Sequence, residues 1–305
     1  MVSRLCFGSL TISPLQADLP VRDAARVMRY AFEAGVNFVD TAELYQNYEH
    51  IRAALRGLGD RVLVATKCYA YRREQMEKSL HYALRALGRD HIDIFLLHEQ
   101  ESALTLRGHR EALEYLLAAK EKGLVRAVGI STHFVAGVEA AASDPAIEVI
   151  HPIINRYGLG IRDGNAAAMV AAIQLAVENG KGVYGMKALG GGHLLDDPAT
   201  ALRFVLSIPG LASVAVGMQS TLEVDYNLCL ISGRPVPEEL ERRIRRRPRR
   251  LLIQDWCQAC GACVKSCSAG ALYKREDGRA AVRQEVCTLC GYCAAVCPEF
   301  AIKVI

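Results

Sequence analysis

Two sets of side chains in this sequence have the types and spacings of reactive chemistry. The first is a block of cysteines: eight of the 11 lie between Cys257 and Cys297. They form two runs with one repeated spacing, Cys257, Cys260, Cys263, Cys267 and then Cys287, Cys290, Cys293, Cys297, the last followed by Pro298. The N-terminus, MVSRLCFGSL, has no basic stretch leading into a long apolar one, so a secretory leader and an oxidising destination are not expected. Thiols crowded together in such a chain read as ligands for a soft metal centre, not as disulfides. Zinc is one reading, since paired CxxC motifs build zinc ribbons. Two four-cysteine runs of the same spacing favour iron–sulfur clusters. Cys6, Cys68 and Cys229 stand apart and read as packing residues, with Cys68 the one to watch because it follows Lys67 at a strand end.

The second set is Asp40, Tyr45, Lys67 and His98. A phenol has a pKa near about 10 and gives up its proton poorly at neutral pH. A buried ammonium beside it is expected to lower that value, and a carboxylate keeps the ammonium charged. An imidazole at the same oxygen can orient a carbonyl. The set then forms a general acid that protonates an alkoxide as hydride arrives. Singly, each has a plainer reading: Asp40 and Lys67 as a structural ion pair, His98 as a satisfied core histidine, Tyr45 as one of 12 tyrosines. Together, at strand ends, the catalytic reading is favoured. His133, His151 and His193 have no such company and read as ordinary residues.

Eight short β-branched or apolar runs carry these residues: 5–9, 36–40, 62–67, 92–98, 125–130, 149–154, 183–187 and 214–217. Helical spacing fills stretches between them, as in 22–34, 73–87, 106–122, 166–179 and 221–231. Strand runs with little polar alternation suit a parallel sheet covered by helices. Eight βα units predict an α/β fold, a (β/α)8 TIM barrel, with a doubly wound open sheet as the runner-up. The expected organisation is a barrel over residues 1–231, a Pro/Arg-rich linker over 232–250 and a small α+β cysteine domain over 251–305. Half the 305 residues are hydrophobic, enough for a sizeable core. The net charge of +4 is concentrated in ERRIRRRPRR, residues 241–250, with seven Arg and one Glu. One local run on a nearly neutral chain argues against a nucleic-acid partner. The run reads as a solvated helix and connector, and alternatively as a docking patch for an acidic redox protein or a segment lying against the barrel rim. No apolar run is long enough to cross a membrane, and a cytoplasmic protein is expected.

The cysteine runs resemble the bacterial two-[4Fe–4S] ferredoxin pattern, with Ser268 where Pro usually follows the fourth cysteine. That resemblance implies one cluster on Cys257, Cys260, Cys263 and Cys297, and a second on Cys287, Cys290, Cys293 and Cys267. The segments FVDTAELY (38–45), ATK (65–67) and LLH (96–98) resemble the aldo-keto reductase family, as do VGIS (128–131) and the stretch 217–227, so the likeness covers nearly all of 1–231. It implies Tyr45 as acid/base, Lys67 and Asp40 tuning it, His98 orienting a small carbonyl substrate, and a nicotinamide cofactor bound without a Rossmann domain. By the same resemblance Ser131 and Thr132 would hold the nicotinamide carboxamide, with Asn155 next to them. Lys187 leads into a glycine loop on the phosphate side. Gly217, Gln219, Ser220 and Asn227 form the adenosine-phosphate segment. Gln219 stands where an Arg often takes the 2′-phosphate, so NADP and NAD both stay open.

Hydride carries two electrons together, and a [4Fe–4S] cluster passes one at a time. Three arrangements follow. The barrel is a nicotinamide-dependent carbonyl reductase with appended clusters; or the clusters feed electrons to a flavin or substrate in the barrel; or the whole is a ferredoxin-linked electron-transfer or redox-sensing subunit whose barrel binds a cofactor without carbonyl reduction. The intact Tyr45 set favours an enzyme, possibilities of flavin and of a redox protein partner included.

Overall fold

A computed structural model describes all 305 residues. Eight parallel strands close into a barrel in sequence order: β1 (Leu5–Gly8), β2 (Phe38–Asp40), β3 (Leu63–Cys68), β4 (Ile92–Leu97), β5 (Val125–Thr132), β6 (Val149–Pro152), β7 (Gly182–Met186) and β8 (Leu211–Gly217). β1 pairs with both β2 and β8, which removes every sheet edge and excludes the open-sheet alternative.

The outer ring holds α1 (Val21–Glu33), α2 (Tyr48–Leu55), α3 (Arg73–Leu87), α4 (Ala103–Gly108), α5 (Arg110–Glu121), α6 (Val135–Ser143), α7 (Ala166–Glu178), α8 (Pro198–Leu206) and α9 (Thr221–Ile231). The single helix expected over 106–122 is two, because the first ends at His109, whose backbone N–H turns back to Thr105 and Leu106 while α5 begins anew. The short helices α2, α6 and α8 went unread in the sequence; Asp197 caps α8 through Thr200 N–H, with Pro198 at its first position.

Strand periodicity places the site. One parity faces the barrel interior, where Cys6, Phe38, Ala65, Leu96 and Tyr184 pack together. Two residues further along their strands, on the same face at the C-terminal mouth, stand Asp40, Lys67 and His98. The other parity joins the helices in the large outer core.

Beyond α9 the connector forms α10 (Glu238–Arg245), which pairs its own charges, Arg245 to Glu241 at 2.7 Å and Arg242 to Glu239. Arg247 reaches the barrel rim, meeting Ser220 Oγ and Glu223 (3.3 Å). Part of the Arg run is thus bound to the barrel, as the rim reading anticipated. The tail folds as two small antiparallel ladders, β9 (Leu251–Ile253) with β12 (Ile302–Val304) and β10 (Leu272–Lys274) with β11 (Ala280–Val282), plus α11 (Ala262–Ser266) and α12 (Tyr292–Ala295).

The tail docks on the barrel mouth. Phe300 is buried and belongs to the barrel's own core. Glu299 accepts two bonds from Arg162, at 2.9 and 3.3 Å, and His193 Nε2 donates to the Ile302 carbonyl at 2.9 Å. The loop after β7 makes room: a Cβ on Gly192 would lie 2.1 Å from the Val304 carbonyl oxygen, and one on Gly191 would lie 2.8 Å from Lys303 Cδ.

Candidate active site

Lys67 Nζ donates to Asp40 Oδ1 and to the Thr41 carbonyl, both at 2.7 Å, and lies 5.1 Å from the centre of the Tyr45 ring. Lys67 and Asp40 are buried; Tyr45 is partly exposed. His98 meets Tyr45 edge-on at 6.3 Å and stacks on Tyr69 at 4.3 Å. The four expected residues therefore converge at one end of the barrel. Burial pushes the Asp40 carboxyl up, yet the Lys67 ammonium, with His151 behind it, outweighs this and holds it well below the usual carboxylate range. Burial and the Lys67 charge hold His98 well below an ordinary imidazole, so it is neutral.

One expectation is reversed. Lys67 was to pull the Tyr45 phenol down; burial, with the charges of Asp40 and Glu99, pushes it well above the ordinary value instead. Burial is the first cause, and Lys67 directs its N–H groups at Asp40 and the Thr41 carbonyl, not at the phenol. The resting phenol is therefore protonated.

A cleft of about 530 Å³ opens from this floor. Asp40, Tyr45, His151 and Met186 line its base; Gly217, Gln219, Glu223 and Asn227 line the far wall; Arg247, Arg249, Lys303 and Val304 close it from the connector and tail. Of the expected cofactor contacts, Lys187, Gly217, Gln219 and Asn227 line the cleft. Ser131, Thr132, Asn155 and Ser220 are not among its lining, and their polar atoms are engaged locally. Ser131 Oγ accepts from Glu99 N–H (3.0 Å), Thr132 Oγ1 from Phe134 N–H (2.9 Å), Asn155 bridges to Leu159 both ways (2.9 Å), and Ser220 caps α9 while meeting Arg247.

In the tail, Cys257, Cys260, Cys263 and Cys297 line one small cavity with Ile253, Ala301 and Ile302. This is the expected first set. On the second run, burial and then the charges of Cys290, Cys263 and Cys287 push the Cys293 thiol up. Ala259 and Leu289 adopt the same left-handed backbone (φ +56° each), followed by Gly261 and Gly291 (φ +77° and +84°), so both loops curl alike. Four thiols thus line one cavity. A cubane, in which each iron takes one thiolate, suits that arrangement. Cys68 is buried beside Met76 Sδ (3.7 Å) and burial pushes its thiol up to about 11, so it is an unreactive packing residue.

Residues 4–200 match the aldo/keto reductase family. The chain belongs to that family. Residues 256–301 match the 4Fe-4S dicluster domain, so this aldo/keto reductase carries an iron–sulfur domain on its C-terminal side and is an oxidoreductase. An aldo-keto reductase of Mycolicibacterium paratuberculosis is 27% identical over 218 residues, 69% of this chain and 72% of that protein. The L-galactose dehydrogenase of Arabidopsis thaliana is 24% identical over 274 residues, 76% of this chain and 85% of that one. An aldo-keto reductase from Klebsiella pneumoniae, solved with NADPH, superposes with a TM-score of 0.63 at 20% identity, covering 80% of this chain and 90% of its own; it shares the fold. No helix of this reductase is long and apolar enough to cross a membrane.

Three residues of this aldo/keto reductase's site went unread in the sequence. Tyr184 donates to Asp40 Oδ2 at 2.9 Å, and His151 stacks on it at 3.9 Å, with Nε2 3.7 Å from the same oxygen. The signal was strand parity: His151 follows inward Val149 by two, and Tyr184 precedes Met186 by two. Lys303 enters from the tail, and nothing local in sequence marks it.

Proposed function

We propose that this protein reduces the carbonyl of a small substrate at Tyr45, using a nicotinamide dinucleotide in the cleft, and that its tail holds two [4Fe–4S] clusters. The carrying observation is the buried Lys67–Asp40 pair, with Lys67 Nζ 5.1 Å from the Tyr45 ring, at the floor of a large cleft. Residues 1–231 serve as the reductase barrel, 232–250 as connector and 251–305 as cluster domain. The cleft suits the dinucleotide's size and charge: apolar Met186 and Val216 near the floor, Arg247 and Arg249 toward the rim. Bound there, a reduced nicotinamide would supply hydride to the carbonyl carbon. Tyr45 donates its phenolic proton to the carbonyl oxygen, neutral His98 directs that oxygen, and Asp40 with Tyr184 and His151 fixes Lys67. Tyr69, whose hydroxyl donates to Glu99 at 2.6 Å, covers His98 from solvent. NADPH or NADH oxidation that depends on an added aldehyde tests the reading; a barrel that binds the dinucleotide and reduces no carbonyl compound refutes it.

A second reading concerns the clusters, and one contact favours it. Phe300 N–H donates to the Cys297 carbonyl (3.1 Å), and the Phe300 ring sits in the barrel core with Lys187 Nζ 5.3 Å from its centre. The thiolate run thus leads directly to the cleft. The eight cysteines would hold two one-electron carriers, whose combined capacity would match the two electrons of one hydride. The expected outcome is an EPR signal of reduced clusters when NADPH is added anaerobically. Clusters that stay oxidised while an aldehyde is consumed refute electron exchange and leave the first reading standing.

A further inference from the structure

The barrel and the tail each place one lysine in the same cleft, and neither lysine forms an ion pair with a carboxylate. Lys187, just past β7, donates to His133 Nε2 at 2.9 Å. Lys303, on β12, is buried and donates to the Phe300 carbonyl. Both ammonium groups lie over the one Phe300 ring, at 5.3 and 3.2 Å from its centre. Each ammonium has three N–H donors, so each retains unused ones. Cys297 and then Glu99 favour the charged form of Lys303. Glu99 also favours that of Lys187; it accepts from the Tyr69 hydroxyl, lies 4.0 Å from His133 and forms an ion pair with neither lysine.

An unpaired buried ammonium is costly, and two facing one another cost more. The backbone adds to the cost: Lys187, after β7, and Glu99, after β4, are non-glycine residues at left-handed φ, +59° and +52°. Such strain persists where surrounding structure or function holds it. Gly191, where a Cβ would strike Lys303, leaves that lysine its room.

We propose that Lys187 and Lys303 form a two-domain subsite for the carboxylate of an anionic carbonyl substrate. Such an anion satisfies the free donors and neutralises the like charges, and the subsite adjoins Tyr45 in the same cleft. Since the inference names the substrate class of the proposed reduction, it rests on that reading. It also gives the tail a part in substrate binding, because Lys303 reaches the cleft only when the tail is docked.

The charge balance predicts proton linkage. Burial lowers Lys187 to about 8, with Glu99 opposing and Lys67 adding to the fall; His133 and His98 beside it are neutral and Lys303 is also lowered. Above pH 8 the free protein has lost protons that a bound carboxylate restores, so binding should take up protons there and weaken as pH rises.

The experiment uses the cluster-loaded full chain. Succinate, which cannot be reduced, is titrated calorimetrically at pH 7 and 9 in buffers of different ionisation enthalpy. Succinic semialdehyde is compared with butanal as substrate. The expected results are succinate binding with proton uptake at pH 9, and at least tenfold higher kcat/KM for the acid, carried by KM. In Lys303→Met that preference should collapse, and Lys303→Arg should restore part of it. If succinate binds but neither aldehyde is reduced, the subsite stands and carbonyl reduction falls. If neither succinate binding nor an acid preference is found in the unmodified protein, the subsite is wrong, whatever the variants do. It is equally overturned if Lys303→Met weakens NADPH binding and leaves the acid preference intact, for the lysines then hold the dinucleotide's phosphates.

Discussion

Tyr45→Phe is expected to lower kcat for aldehyde reduction by roughly 10²- to 10⁴-fold, the range of a lost general acid, while leaving dinucleotide affinity close to that of the unmodified protein. The phenol stands over Lys67 and beside His98, and has no protein hydrogen-bond partner to lose, so removing one oxygen takes away the transferable proton and little packing. Stopped-flow measurement of the hydride step separates that loss from product release. The pH profile gives an independent check. Burial, Asp40 and Glu99 raise Tyr45 above 10.0, and burial with Lys67 holds His98 below 6.5. Neither group changes charge between those values, so kcat for a neutral aldehyde should be flat from pH 7 to 9. A full-speed Tyr45→Phe enzyme would exclude Tyr45 as the acid, and a steep fall in kcat across that range would show that another group supplies the proton.

What the sequence made legible follows from how far apart the cooperating residues lie along the chain. The cysteine loops are local, and their spacing alone groups Cys257, Cys260 and Cys263; the return of Cys297 to the same cavity came from resemblance. Asp40, Lys67 and His98 are 27 and more residues apart, yet each ends a strand, and closed-barrel geometry brings strand ends together without further information. His151 was passed over because a lone histidine near a strand end looks like any other until parity and register put it beside Tyr184. The sign of the Tyr45 shift was missed for a different reason. Residue types name the charges present but not how far a group is withdrawn from water, and burial is the first cause of the Tyr45 rise. Lys303 was beyond reach altogether, since its place depends on the docking of one domain against another.

That docking is what Phe300→Ala probes, and the expected cost is about 3–5 kcal/mol, the usual range for emptying a buried phenylalanine site. The ring is buried in the barrel core although its backbone belongs to the tail, so the deletion should strike the junction and leave the barrel's own sheet intact. Removing it also brings Lys187 and Lys303 together without the ring whose face each now approaches, a loss of about 0.5–2 kcal/mol per contact. Phe300→Leu keeps most of the burial and discards the ring, so its cost relative to Ala divides packing from cation–π attraction. Urea unfolding of the two variants gives the magnitudes, and hydrogen exchange gives the place: residues 190–193 and 300–304 should exchange faster, while β1 to β8 hold their protection. A cost below about 1 kcal/mol for Ala would mean that the tail is not anchored through this ring. If instead the junction opens as expected, the acid preference assigned to Lys303 should vanish in Phe300→Ala with the lysine still present, because its ammonium reaches the cleft only from a docked tail.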